Sequence, residues 1–111
     1  MPARVPDQGD FIALSFDPQS GHEQRGRRPA FVVSKRLLNS RTGLAILCPV
    51  TNAKRGLPFH VEIKAGKKVT GFIVVEQVKS VDFRAREARH LGKASGEVLR
   101  EVLSILDACI Y

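Results

Sequence analysis

Leu44-Ala45-Ile46-Leu47-Cys48-Pro49-Val50 is a nearly unbroken apolar run. A strand that faces water on one side alternates apolar and polar residues, so a run without alternation marks a strand covered on both faces. Pro49 has no N–H to give to a ladder, and the strand is expected to end, bulge or sit at an edge there. That places Thr51 and Asn52 at the strand's exit.

Upstream, Phe11-Ile12-Ala13-Leu14-Ser15-Phe16 reads as a strand, broken by the turn chemistry of Asp17-Pro18-Gln19-Ser20-Gly21. The polar stretch that follows carries Gly21 and Gly26 and reads as a long exposed loop through Arg28. Pro29 fixes its exit into a strand, Ala30-Phe31-Val32-Val33-Ser34, and residues 35–41 hold one helical turn before Thr42-Gly43. Downstream, the basic connector Ala53-Lys54-Arg55-Gly56 leads to Phe59-His60-Val61-Glu62-Ile63, whose alternation suits a half-buried strand. Gly66-Lys67-Lys68 turns the chain, and Gly71-Phe72-Ile73-Val74-Val75 and Gln77-Val78-Lys79-Ser80-Val81-Asp82-Phe83 continue the sheet.

After Gly92 the period changes: Leu99, Val102, Leu103, Leu106, Cys109 and Ile110 recur at helical spacing. Ser95 is placed to cap this helix, and Glu97 puts a carboxylate at the positive end of its dipole. The fold class is therefore mainly β: short antiparallel strands forming a small barrel-like sheet closed by a C-terminal α-helix, a single domain over residues 1–111.

Composition is that of an ordinary globular protein, 43% hydrophobic and 26% charged, which argues against disorder. No apolar stretch approaches the roughly 18 residues needed to cross a bilayer, and the start lacks a signal-peptide core, so no membrane role and a cytoplasmic location are expected. Cys48 and Cys109 have no CxxC or histidine spacing around them; both read as small buried hydrophobes rather than a disulfide or zinc site. The 18 Lys+Arg against 11 Asp+Glu leave a formal charge of +7 and favour an anionic partner. The cations gather in two groups, Arg25, Arg27, Arg28, Lys35, Arg36 and Arg41 in one, Lys79, Arg84, Arg86, Arg89 and Lys93 in the other. A fold joining them on one face would make a stripe able to track phosphates.

His22, His60 and His90 are not closely spaced, the carboxylates form no cluster for Mg²⁺, and no Walker loop, nucleophile elbow or HExxH run occurs. No cofactor or metal is expected. What remains is cationic and hydroxyl chemistry. In RNA the 2′-hydroxyl can attack its own phosphate, so a catalyst needs only to orient the attack, move protons and stabilise the charged transition state. An arginine fork pairs with two phosphate oxygens, and a strand-end hydroxyl such as Thr51 can bond a third. A solvated loop with scattered arginines carries the same pattern, so the residues alone leave both readings open.

The order of residues narrows the choice. Gly9-Asp10, Phe16-Asp17-Pro18, Gly21-His22-Glu23-Gln24, Arg28-Pro29-Ala30 and Val33-Ser34 resemble the MazF family of bacterial toxin–antitoxin ribonucleases. The resemblance continues through Asn39, Thr42-Gly43, Pro49-Val50-Thr51, Pro58-Phe59, Gln77-Val78-Lys79-Ser80 and Arg84-Ala85-Arg86. It implies an SH3-like barrel of the kind shared with CcdB and Kid toxins, assembled as a homodimer. It also implies metal-independent, sequence-selective cleavage of single-stranded RNA that leaves a 2′,3′-cyclic phosphate and a 5′-hydroxyl, growth inhibition, and neutralisation by a MazE-type antitoxin with an acidic flexible segment. Residue by residue, the resemblance puts the catalytic arginine at Arg28, the catalytic threonine at Thr51 and the influential loop glutamate at Glu23. RNA contacts are assigned to Phe16, Gln24, Arg25, Arg27, Lys54, Gln77, Lys79, Arg84 and Arg86. Arg25 and Arg27, Glu76 and Phe83 depart from the family's usual residues. The competing readings are a CcdB-like inhibitor that poisons DNA gyrase by binding, and a passive nucleic-acid-binding module; Arg28-Pro29 and Pro49-Val50-Thr51 fit the nuclease branch.

Overall fold

A computed structural model describes residues 4–15, 27–54, 56–63 and 69–111. Strands β1 (Asp10–Leu14) and β2 (Arg28–Val32) lead to helix α1 (Arg36–Thr42) and the long strand β3 (Leu44–Thr51). Strands β4 (His60–Ile63) and β5 (Gly71–Val74) follow, then a 3₁₀ turn at Val75–Gln77, β6 (Lys79–Asp82), β7 (Arg89–Lys93) and helix α2 (Gly96–Ile110). All pairings are antiparallel, in the order β4-β5-β3-β2-β1-β7, with β6 also on β3. This is the expected mainly β architecture: a half-barrel closed by the C-terminal helix.

The apolar run behaves as its composition predicts. Ala45 and Leu47 of β3 enter one core with Ile12, Leu14, Ala30, Val32, Val81 and Phe83. Cys48 and Val50 enter the other with Phe31, Val61, Ile63, Ile73 and the α2 residues Val98 and Val102. Each face of β3 is thus buried in its own apolar cluster.

Pro49 does not end the strand. The Val33 N–H donates to Ile46 O at 2.9 Å, and the register Val32↔Leu47, Phe31↔Cys48, Ala30↔Pro49 continues from there. Hydrogen-bonded and non-hydrogen-bonded pairs alternate in such a ladder, which turns the proline nitrogen away from β2. On that other side, pairing with β6 stops at Leu47↔Lys79 and pairing with β5 starts at Val50↔Ile73. The missing donor sits in the seam between two partner strands and costs no ladder bond.

Other expectations shift for stated reasons. Arg28 and Pro29 belong to β2 itself, because β1 pairs with them at Leu14↔Arg28 and Ala13↔Pro29. Helix α1 runs longer than one turn: its first N–H, from Arg36, donates to Asp7 Oδ1 at 2.9 Å, and Gly43 closes it at φ 76°. Buried Asn39 donates to Pro6 O at 2.9 Å and Ser34 O at 3.1 Å, tying the helix to the chain's lead-in. Strand β7 was not anticipated. It forms by pairing with β1 across an irregularity between Phe11 and Ile12, and its own residues are mostly exposed. Helix α2 is capped as expected, the Val98 N–H donating to Ser95 Oγ at 3.2 Å. Cys109 corrects the reading of both thiols as buried: it is exposed near the end of α2, whereas Cys48 is buried and its thiol is pushed up to about 12 by burial. Among the described residues no helix is long and apolar enough to cross a membrane.

Candidate functional site

The site grows from strand register. Side chains directly opposite one another in a sheet point to the same face and lie within contact range. Thr51 pairs with Phe72 of β5, and Phe72 pairs with Glu62 of β4. The β2–β3 pairing ends at Ala30↔Pro49, so Arg28 lies two residues before the last paired residue of β2 and Thr51 two residues beyond its partner in β3. Thr51, Phe72 and Glu62 therefore form one cross-strand row at the end of the sheet where β3 exits, and alternation from Ala30↔Pro49 puts Arg28 on the same face of β2. Lys79 stands on the same face, opposite Leu47.

The two residues singled out from sequence at this end of the sheet differ in their commitments. The Arg28 side chain is exposed at the start of β2 and makes no hydrogen bond or ion pair with any described residue. Thr51 is half-buried, and its Oγ1 accepts the Ala53 N–H at 3.2 Å. That bond turns the chain out of β3 and holds the hydroxyl oxygen, and among the described residues no acceptor takes its proton. Behind it, Gly71 has φ 115°, and a Cβ built there would lie 2.4 Å from Thr51 O and 2.8 Å from Asn52 Oδ1. Only glycine lets β5 approach the end of β3 this closely.

Arg27 is held differently. Its guanidinium donates to Ala13 O at 3.3 Å, to Glu87 O, and to Glu87 Oε1 at 3.2 Å, and only 26% of the side chain is exposed. Glu87 has φ 55°, so the turn after β6 and the return of the chain into β2 are fastened by one side chain. Arg86 joins them, donating to Ser15 O at 2.8 Å. Arg84 lies 5.0 Å from the centre of the Phe83 ring and reaches toward Gly43. It thus stands at the opposite end of β3 from Thr51, roughly 23 Å away along a strand rising about 3.3 Å per residue. Lys54 and Gln77 are exposed, Lys54 just beyond Thr51 and Gln77 in the 3₁₀ turn after β5. Phe16, Glu23, Gln24 and Arg25 lie outside the described residues.

Of the residues that depart from the family pattern, Phe83 is core, 1% exposed, and Glu76 Oε2 sits 3.2 Å from His60 Nε2. Among the described residues no three His, Cys, Asp or Glu side chains converge as metal ligands. Sequence reasoning passed over Phe72 and Glu62. Alternation in β4 and β5 announced their face, but only the register sets them beside Thr51.

A helix-capped antiparallel half-barrel with an exposed arginine and a strand-end hydroxyl on one face defines a class of small basic β-barrel proteins. Comparison with known proteins places the chain within it. The sequence model of the family described as PemK-like, MazF-like toxin of type II toxin-antitoxin system matches residues 7–110, and the chain belongs to this family. The Endoribonuclease toxin MazF of Escherichia coli (strain K12) is 39% identical over 106 residues, spanning 96% of this chain and 95% of that one. Among solved structures, MazF (Form-I) from Deinococcus radiodurans is 43% identical, covering 96% of this chain and 97% of that one with a TM-score of 0.85. MazE-MazF (Form-II) from the same organism is 37% identical, covering 96% of each chain with a TM-score of 0.85.

Proposed function

We propose that the chain is a metal-independent endoribonuclease that cuts single-stranded RNA in the cytoplasm, with Arg28 and Thr51 as its catalytic pair. One observation carries the reading: an arginine with no bond to any described residue and a hydroxyl held by the Ala53 N–H lie on one face at adjoining strand ends, in a chain 39% identical to an endoribonuclease toxin. A phosphodiester bound at this end of the sheet meets the Arg28 fork from β2 and the Thr51 O–H from β3. The RNA 2′-oxygen bonds to phosphorus as its proton passes to a base. The P–O5′ bond breaks and the 5′-oxygen takes a proton, leaving a 2′,3′-cyclic phosphate and a 5′-hydroxyl. Arg28 stabilises the charge that builds on the phosphoryl oxygens, and Thr51 orients the phosphate. Glu23, in the loop beyond β1, is assigned as base or loop organiser.

Lys79, Lys54, Gln77, Gln24, Arg25 and Phe16 serve as RNA contacts on this reading, with Arg84 and Arg86 contributing charge from the turn after β6 and Arg27 from the residue before β2. The active form is a homodimer, neutralised by a MazE-type antitoxin like the one joined to the Deinococcus radiodurans relative. Purified protein incubated with a long RNA in EDTA should produce fragments ending in cyclic phosphate. Removal of one transition-state donor typically slows a reaction about 10²–10³-fold, so Arg28→Ala should cut at least that much more slowly while unfolding at the same temperature. A wild-type protein that leaves every RNA intact, or one that loses its cutting in EDTA, would overturn the reading; inhibition of gyrase instead would establish the CcdB-like alternative.

A further inference from the structure

Beside Thr51 lies a cavity of about 250 Å³, lined by Lys54, Leu57, His60, Glu62, Phe72 and Glu101 among others. It is smaller than the roughly 300–1,000 Å³ typical of drug-sized ligand sites, and suits one planar ring system. Its wall is the Phe72 ring, the direct cross-strand neighbour of Thr51. Its base is firm: the His60 side chain is 5% exposed and held by Glu76 at 3.2 Å. Helix α2 contributes Glu101 from across β4, and β4 itself contributes Glu62.

The charges in this cavity run against the rest of the molecule. The chain carries a formal +7, yet the described residues lining this cavity include two carboxylates and one lysine. Carboxylates do not grip phosphate. They accept hydrogen bonds, and in nucleic-acid recognition they read the amino groups of bases. An aromatic wall, two acceptors and a cation at the rim match a nucleobase whose ring stacks on Phe72 while its backbone phosphate stays with Arg28 and Lys54.

We propose that this cavity is a base-reading subsite, in which the nucleotide flanking the scissile phosphate stacks on Phe72 and presents amino donors to Glu62 and Glu101. The inference rests on the ribonuclease reading and adds a selectivity to it. Guanine is the preferred occupant, because its N1–H and N2–H₂ lie side by side and match the two oxygens of one carboxylate. Adenine and cytosine each offer an amino group beside an acceptor and fit less well. Uracil places a single donor between two carbonyls, which the carboxylates repel.

The test uses the full-length protein and a matched set of short RNAs, each varied in turn to all four bases at the positions on either side of the mapped cut. Wild type should favour guanine over uracil about tenfold or more at one of these positions. Glu62→Gln should shrink that ratio several-fold, since the amide offers only one acceptor, while cutting continues. Phe72→Leu should lower kcat/KM about tenfold through KM, in line with the loss of one stacked base. Both variants should melt as wild type does, Glu62 being exposed and leucine keeping the apolar wall. Cleavage by wild type with no base preference on either side of the cut, or a preference that both variants retain in full, overturns the subsite and leaves the ribonuclease reading standing. A wild-type protein that cuts none of these RNAs, nor the long one, overturns both.

Discussion

Two neighbouring arginines show how little a residue type says about its role. Arg28 projects free of the described residues, whereas Arg27 is spent on Ala13 and Glu87. Hydrogen bonds to charged groups contribute about 1.5–3 kcal/mol each when well buried, and Arg27 is only partly so. Arg27→Ala should therefore lower stability by about 1–2 kcal/mol in urea melts, and Arg28→Ala should leave the midpoint in place. Equal effects of the two substitutions would contradict this division of labour. Asp7 offers a residue-scale dependence on pH. The Arg36 N–H is the chief cause holding its carboxyl below the usual 3.8; burial opposes this, and the Gln8 N–H and the charges of Arg36 and Lys93 reinforce it. A carboxyl whose folded pKa is depressed stabilises the fold above its unfolded value, and that stability is lost as pH falls through the lower folded value. Stability should decline below about pH 3.8 more steeply in wild type than in Asp7→Asn, as read by melting temperature across an acid series.

Elements, rather than residues, position the site, and Gly71 is where two of them meet. At φ 115° any side chain is strained, and a methyl group there would collide with the backbone of Thr51. Such strain is of order 1–3 kcal/mol, so Gly71→Ala should destabilise the protein by about that much. Because β5 must then draw back from β3, it should also slow RNA cleavage more than an equally destabilising core substitution such as Val102→Ala in α2. Equal loss in the two variants would mean that Gly71 does not set the Thr51 hydroxyl. The same elements mark what was legible beforehand. Strand β3 could be read because its alternate residues feed two separate cores, and α2 because its apolar stripe and Ser95 agree. Strand β7 could not: Arg89-His90-Leu91-Gly92-Lys93 has little β propensity and owes its conformation to pairing with β1. Likewise Pro49 read as an end, a bulge or an edge because a chain shows a missing donor but not which neighbour the donor would have faced. Arg28 and Thr51 were visible as chemistry at strand ends; Phe72 and Glu62 joined Thr51 only through a register that spans β3, β5 and β4.

At the scale of the whole molecule, the formal +7 makes one prediction about two partners at once. RNA and the acidic antitoxin segment of the proposed function are both polyanions, and on that proposal Arg28, Lys54 and Lys79 attract either by the same electrostatics. If these three side chains each neutralise one phosphate, the slope of log affinity against log salt is about −2, and binding weakens roughly 20-fold between 50 and 200 mM salt. An acidic peptide held at the same face should weaken in parallel, its own loss set by how many of the same cations it covers. A segment that folds on binding adds apolar contacts that salt does not screen, so the antitoxin should outlast RNA at high ionic strength. Competition is the decisive measurement: at low salt, fluorescently labelled RNA bound to Arg28→Ala should be displaced by the acidic peptide at a single common site. If peptide and RNA bind together without mutual loss of affinity, the two polyanions occupy different faces and neutralisation must work by changing the shape of the site from a distance.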